Sequence, residues 1–234
     1  MDLIWQGLAK GVKLLLSGDP EIYEIAFLTL RVSGLATLVS LVLGVPAGLF
    51  LAVKQFRFRR ALVGAVNTAM GLPPTVVGLW VAIFLWRSGP LGALGLMYTP
   101  AAMVIAQALI ATPVVTGFTM ASVQQLDPKL PRQILALGAS PLQFWWLVMR
   151  ECRFGLLAAV MAGFGAVISE VGASMAVGGN VRHYTRVLTT AIVLEVNKGN
   201  FDVAVALSFI LMALAYVVTF ALTAVQQRHR RYVV

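Results

Sequence analysis

Five stretches of this chain, Val32–Val53, Ala61–Trp86, Tyr98–Val123, Phe154–Val177 and Phe201–Val225, are each long and apolar enough to cross a lipid bilayer as a helix. A hydrocarbon core about 30 Å thick needs about 20 residues at about 1.5 Å rise each. A water-soluble fold of this length needs more charge on its surface, because only 12% of the 234 residues are charged. With 59% hydrophobic residues and a mean hydropathy of +0.87, the chain reads as all-α and polytopic, with about five transmembrane helices in one domain. Ile4–Leu16 reaches only about 20 Å as a helix and carries Lys10 and Lys13, which predicts a helix lying on the membrane surface. Met1-Asp2 opens acidic and no small-residue cleavage site follows Ile4–Leu16, so no cleaved leader is expected.

The net charge of +9 belongs with short loops beside anionic head groups; no basic stripe sits on a soluble fold, and nucleic acid is not an expected partner. Lys54, Arg57, Arg59 and Arg60, then Lys129, Arg132, Arg150 and Arg153, then Arg228, Arg230 and Arg231 fall on one side of the membrane, eleven in all. The remaining seven, Lys10, Lys13, Arg31, Arg87, Arg182, Arg186 and Lys198, fall on the other. The positive-inside rule then predicts an external N-terminus, a cytoplasmic C-terminus and a long cytoplasmic loop at about residues 124–153. Residues 1–24 form the external or surface segment in this reading, and residues 25–234 the membrane domain.

Pro46, the pair Pro73-Pro74 and Pro113 interrupt three spans, with Gly34, Gly44, Gly48, Gly71 and Gly78 nearby and Gly163 and Gly165 in span four. Bent helices that line a path and close helix packing both account for this pattern. Arg31, Glu170 and Asp202 lie near predicted span ends, so the spans carry no proton relay and the energy source is expected outside the chain. The single Cys152 precludes an internal disulfide, and His183 and His229 lack ligand spacing, so no metal centre is expected. Met97, Met103, Met120, Met161 and Met175 read as packing or lipid-facing residues. No clustered His, Ser, Asp and Glu near a membrane face suggests an enzyme.

Within the cytoplasmic loop, Pro131–Glu151 predicts two short helices. Gln133–Leu137 lacks breakers, Gly138 permits the positive φ that ends a helix, Ser140 can cap the next, and Pro141 suits its first position. Phe144, Leu147 and Val148 then share a face, while Trp145 and Trp146 suit a membrane interface.

This loop resembles the cytoplasmic signature of permease subunits in binding-protein-dependent ABC importers, a pattern of Glu-Ala-Ala, three residues, Gly, and a later Ile-x-Leu-Pro. Gly138-Ala139 matches, with Phe144 and Val148 at apolar places; Arg132 and Gln133 replace the acidic start, and Arg150-Glu151 replaces Leu-Pro. The likeness extends from about Phe27 to Ala221. Thr29–Gly48 looks like the first core span of such permeases, while Leu72–Gly78, Ser88–Gly92, Ser169–Ala173 and Val177–Asn180 resemble molybdate, tungstate and sulfate permeases. Tyr98–Gln107 and Arg186–Glu195 are most similar to the tungstate branch.

The resemblance implies a type I ABC importer permease, working as a homodimer in the inner membrane of a prokaryote with two ATPase subunits and an external substrate-binding protein. No Gly-x-x-x-x-Gly-Lys-Ser/Thr loop occurs, so ATP and magnesium are expected on the partner ATPase and no cofactor on this chain. It places ATPase docking on Arg132, Gln133, Leu135, Ala136, Leu137, Gly138 and Ala139, and an outer pathway near Glu170, Gly172, Gly178, Gly179, Asn180 and Thr189. For Glu170, a helix-end ion pair with Arg182 or Arg186 is an equally good reading, since a carboxylate is a poor oxyanion ligand. Backbone N–H groups at Gly178–Asn180 are candidates to meet an anion.

Overall fold

The computed structural model describes residues 18–228 together with Trp5, Ala9, Lys10, Val12 and Lys13. The surface helix expected over Ile4–Leu16 lies largely outside the described residues. From Pro20 onward the order is α1 (Pro20–Val53), α2 (Arg59–Met70), α3 (Pro74–Leu85), a 3₁₀ turn (Gly92–Leu94), α4 (Pro100–Gln124) and α5 (Leu130–Ala136). There follow α6 (Pro141–Glu151), α7 (Arg153–Ile168), α8 (Gly172–Gly178), α9 (Leu188–Asn197) and α10 (Phe201–Arg228). No strand occurs among the described residues.

The helix starts follow local chemistry. Asp19 caps α1, its carboxylate accepting from the Glu21 N–H at 2.9 Å, with Pro20 in the first turn, where its missing N–H costs nothing. Thr99 and Pro100 do the same for α4, the Thr99 hydroxyl accepting from the Ala102 N–H at 3.3 Å. Three helices, α1, α4 and α10, are each long and apolar enough to cross a membrane, and the bent pairs α2–α3 and α6–α7 raise this to five.

Two expected spans are broken. Ala61–Trp86 is two helices meeting at 102°. Pro74 has no N–H to continue the helix, and its ring holds Pro73 extended at ψ 126. Span four, expected over Phe154–Val177, stops at Ile168; Ser169–Val171 turn the chain, and α8 is a separate short helix. By contrast, Pro46 and Pro113 sit inside the unbroken helices α1 and α4.

The helix pair α1–α4 forms the most extensive contact in the fold. At its tightest crossing, a Cβ on Gly48 would lie 2.6 Å from the Thr116 carbonyl oxygen and 2.7 Å from Thr119 Cβ. That approach is open only to a residue without a side chain. Four apolar clusters are strung along α1, one of them joining Ala36 to Ala108, Ala111 and Val167. Ile22 and Ile25 pack with Leu188, Leu207 and Ile210; Val32 packs with Met103, Ala173 and Val177; Leu49 packs with Val123, Phe144 and Val148. Leu38, Val42 and Leu43 of α1 and Met212, Tyr216 and Phe220 of α10 stay exposed, as befits a surface that meets lipid or another apolar chain.

Candidate functional site

The α5–α6 hairpin is a knuckle with a buried inner face and an apolar outer one. Its hinge is Gly138, at φ +78, a conformation that costs an L-residue about 1–2 kcal/mol. Around it the Gly138 N–H donates to the Leu135 carbonyl at 3.0 Å and the Ala139 N–H to Ile134 at 3.4 Å. These two bonds satisfy the last carbonyls of α5. Ser140 then opens α6 with a reciprocal cap: its N–H donates to Gln143 Oε1 at 2.8 Å, and its hydroxyl accepts from the Gln143 N–H at 3.4 Å.

Ile134, Phe144 and Val148 are buried against Leu49, Val123 and Cys152, so the hairpin is fixed to the ends of α1 and α4. The opposite face is open. Arg132, Gln133, Leu135, Ala136, Leu137 and Gly138 are all exposed, Leu137 to 88%, and Ala139 is half-buried. Leu142 and Trp146 of α6, exposed to 82% and 54%, extend this surface, with the Arg150 guanidinium 5.3 Å above the Trp146 ring. The sequence pattern singles out the Phe144–Val148 face. The Leu142–Trp146 spacing of four residues was equally readable, but nothing in one sequence says that this second face stays uncovered.

The second constellation surrounds α8. Glu170 is buried, and its Oε1 accepts from the Ala173 N–H at 2.7 Å, capping α8. Thr189 at the start of α9 donates to the Glu170 carbonyl at 3.0 Å. Gln107 of α4 donates to the Ser174 hydroxyl at 3.0 Å, and Tyr98 donates its N–H to the Val177 carbonyl at 2.9 Å. Gly172 packs on Thr75, and buried Gly178 packs on Met103. The short helix is therefore held at both ends and on two sides. Gln107, Ser174, Thr75 and Tyr98 escape sequence reasoning because the partners of each pair lie on different elements, far apart in the chain.

Ion pairing of Glu170 with Arg182 or Arg186 does not occur. Arg182 makes a two-pronged pair with Glu21 of α1, at 2.9 and 2.6 Å, and Arg186 approaches the same carboxylate at 3.5 Å. Glu170 is sealed beneath α8, whereas Glu21 stands in the first turn of α1 beside the loop that carries both arginines. The hydrogen bonds that Arg182 donates to Glu21 raise the Arg182 pKa still further. His183 meets Glu24 at 2.7 Å. Of the N–H groups proposed for an anion, that of Gly179 is already used by the Met175 carbonyl at 3.0 Å; Asn180 reaches the Thr190 carbonyl through its side chain at 3.4 Å.

Glu170, Gly172, Gly178, Gly179, Asn180 and Thr189 are thus brought together around α8, and the seven knuckle residues form the second group. The two groups pack on clusters containing Val32 and Leu49 of α1, which puts them about 25 Å apart along that helix at about 1.5 Å per residue.

A bundle of bent membrane helices with a short clamped helix at one level and an exposed knuckle at another is the architecture of a type I ABC importer permease. The sequence profile of binding-protein-dependent transport system inner membrane components matches residues 44–231, and the chain belongs to that family, as a multi-pass protein of the cytoplasmic membrane. It is 37% identical to the tungstate uptake system permease protein of Peptoclostridium acidaminophilum, over 97% of this chain and 100% of that one. It is 32% identical to the corresponding protein of Campylobacter jejuni, over 94% of this chain and 92% of that one. Among solved structures, a bacterial ABC transporter involved in the import of the acidic polysaccharide alginate superposes with a TM-score of 0.75 at 16% identity, over 93% of this chain and 82% of that one. That last likeness speaks to the fold.

Proposed function

We propose that this chain is the permease of a tungstate importer, acting as a homodimer whose two knuckles each dock one cytoplasmic ATPase subunit. ATP and magnesium are held by those subunits, and an external binding protein delivers the anion. The end-to-end likeness to two tungstate permeases supports the cargo. The observation that carries the coupling role is the exposed row Leu135, Leu137, Leu142 and Trp146 on a hairpin whose other face is locked into the bundle. Apolar side chains this exposed on a rigid support fit a protein partner, and movement of that partner passes to α1 and α4 through Ile134, Phe144 and Val148.

In this reading the basic loops put the knuckle inside the cell, and α8 with its clamp lies toward the outside. ATP closes the ATPase dimer and draws the knuckles together, which opens the membrane path outward. The ATPase state shifts the permease only by binding one arrangement of the knuckles better than the other. Selectivity among oxyanions rests chiefly with the binding protein.

The test is ATPase activity of the chain reconstituted in liposomes with its ATPase and binding proteins, titrated with tungstate, molybdate, sulfate and phosphate. Stimulation by tungstate at far lower concentration than by the others is expected. Equal stimulation by several oxyanions would remove tungstate as the particular cargo, and failure to assemble with an ATPase would remove the importer reading.

A further inference from the structure

Beside the knuckle, between the end of α1 and the α5–α6 hairpin, lies a cleft of about 390 Å³. Its floor is apolar, made by Val53, Leu135, Phe144 and Trp145, and its rim carries two cations, Lys54 and Arg132. Both are exposed, no carboxylate lines the cleft, and neither cation has an ion-pair partner among the described residues. Arg57, Arg60, Lys129 and Arg153 add exposed positive charge in the neighbouring turns and helix starts, against the exposed Asp127 and Glu151. Asp127 is engaged locally, accepting from the Lys129 N–H at 2.8 Å.

Two cations above an apolar floor, with no acid among the described residues paired to them, suit an occupant that brings a carboxylate next to an apolar side chain. The geometry points to an acidic, apolar-flanked segment of the ATPase subunit as that occupant, with Lys54 and Arg132 as the pair that recognises it. This rests on the docking role of the knuckle and adds a residue from outside it, since Lys54 belongs to the end of α1. It also sets the sign of the contact. Arg132 stands where the family pattern opens with Glu, so the charge this chain offers at that position is opposite in sign to the pattern's. The cleft is then a specificity device: a partner built to meet an acid at this position meets like charge here.

The experiment is capture of the ATPase subunit by tagged permease from detergent extracts, over a series of salt concentrations. The variants are Lys54→Glu/Arg132→Glu, Lys54→Arg/Arg132→Lys and Leu137→Asp, each first checked for a normal gel-filtration profile. The charge-reversed pair is expected to capture at least about tenfold less ATPase, while the charge-conserving pair captures normally and loses it with rising salt as wild type does. Normal capture by the reversed pair, with capture lost in Leu137→Asp, overturns the cleft and leaves the docking knuckle standing. Capture unaffected by Leu137→Asp as well, or absent in wild type, overturns both. Changed retention of phosphatidylglycerol without changed ATPase capture makes the cleft a lipid site, and that too overturns the proposal.

Discussion

Gly78 of α3 and Ala173 of α8 touch backbone to backbone: a Cβ on Gly78 would lie 2.8 Å from Ala173 Cβ and closer still to Ala173 Cα. Ala173 is fully buried, so a side chain added at Gly78 meets it with no open space between them. Gly78→Ala is expected to lower the thermal stability of the purified protein, and Gly78→Leu to cost about 1–3 kcal/mol of overpacking and abolish uptake. Melting curves in detergent with parallel uptake assays measure this, and a neutral Gly78→Ala would show that α3 and α8 part easily enough to admit a methyl group.

Glu170 tests whether its role is to cap α8 or to carry charge. An amide oxygen accepts from the Ala173 N–H as a carboxylate does, so Glu170→Gln is expected to keep most of the stability. Glu170→Ala leaves that buried N–H without its partner, at a cost of about 1–3 kcal/mol. Thr189→Val removes the bond to the carbonyl of the same residue, so its effect combined with Glu170→Ala should be less than additive. Transport lost in Glu170→Gln at unchanged stability would instead assign the charge a part in the pathway.

Much of this fold was legible in the sequence, because a lipid solvent leaves few choices for long apolar runs. The α4 and α10 helices follow from the length of apolar sequence alone, as does α1 from Val32 onward, and the break at Gly138 from a glycine followed by Ser140-Pro141. In fact α1 begins at Pro20, inside the stretch expected as a surface segment; its first turns carry Glu21, Glu24 and Arg31 and so do not read as apolar. The broken spans were harder. Pro73-Pro74 announces a bend, but whether a proline breaks a helix depends on its surroundings: Pro46 and Pro113 lie within continuous helices. The end of α7 at Ile168 had no breaker to mark it. There the chain turns so that Glu170 can cap α8 and α8 can pack on Gly78, and both are tertiary events. The partner of Arg182 is hidden for the same reason, since Glu21 is 161 residues away along the chain.

The turn from α9 to α10 predicts a pH dependence. Glu195 accepts from Lys198 at 2.7 Å and from the Asn200 side chain at 2.8 Å, and these bonds, Lys198 first, hold its pKa below the ordinary carboxylate value. A carboxyl whose folded pKa is depressed contributes stability above its unfolded value of about 4.3, and loses it as pH falls through the lower folded value. Wild type should therefore melt slightly above Glu195→Gln at neutral pH, with the gap closing under acid conditions below that range. A gap that stays constant with pH would mean that the charge of Glu195 contributes nothing at this turn.

Gly138 separates the backbone of the knuckle from its surface. No atom lies within 4 Å of where its Cβ would be, so a substitution there acts through the φ of +78 and not through a clash. Asn tolerates that region and Val does not, the cost for an ordinary L-residue being about 1–2 kcal/mol. Gly138→Asn is expected to transport nearly as wild type. Gly138→Val should unwind the link between α5 and α6, turning Leu137 away from Leu142 while the buried anchors Phe144 and Val148 keep α6 in place. In proteoliposomes that variant is expected to lose most tungstate uptake while the ATPase keeps turning over without its dependence on anion. Equal uptake by Gly138→Val and wild type would mean that the angle of the knuckle, fixed by this one left-handed residue, has no part in coupling.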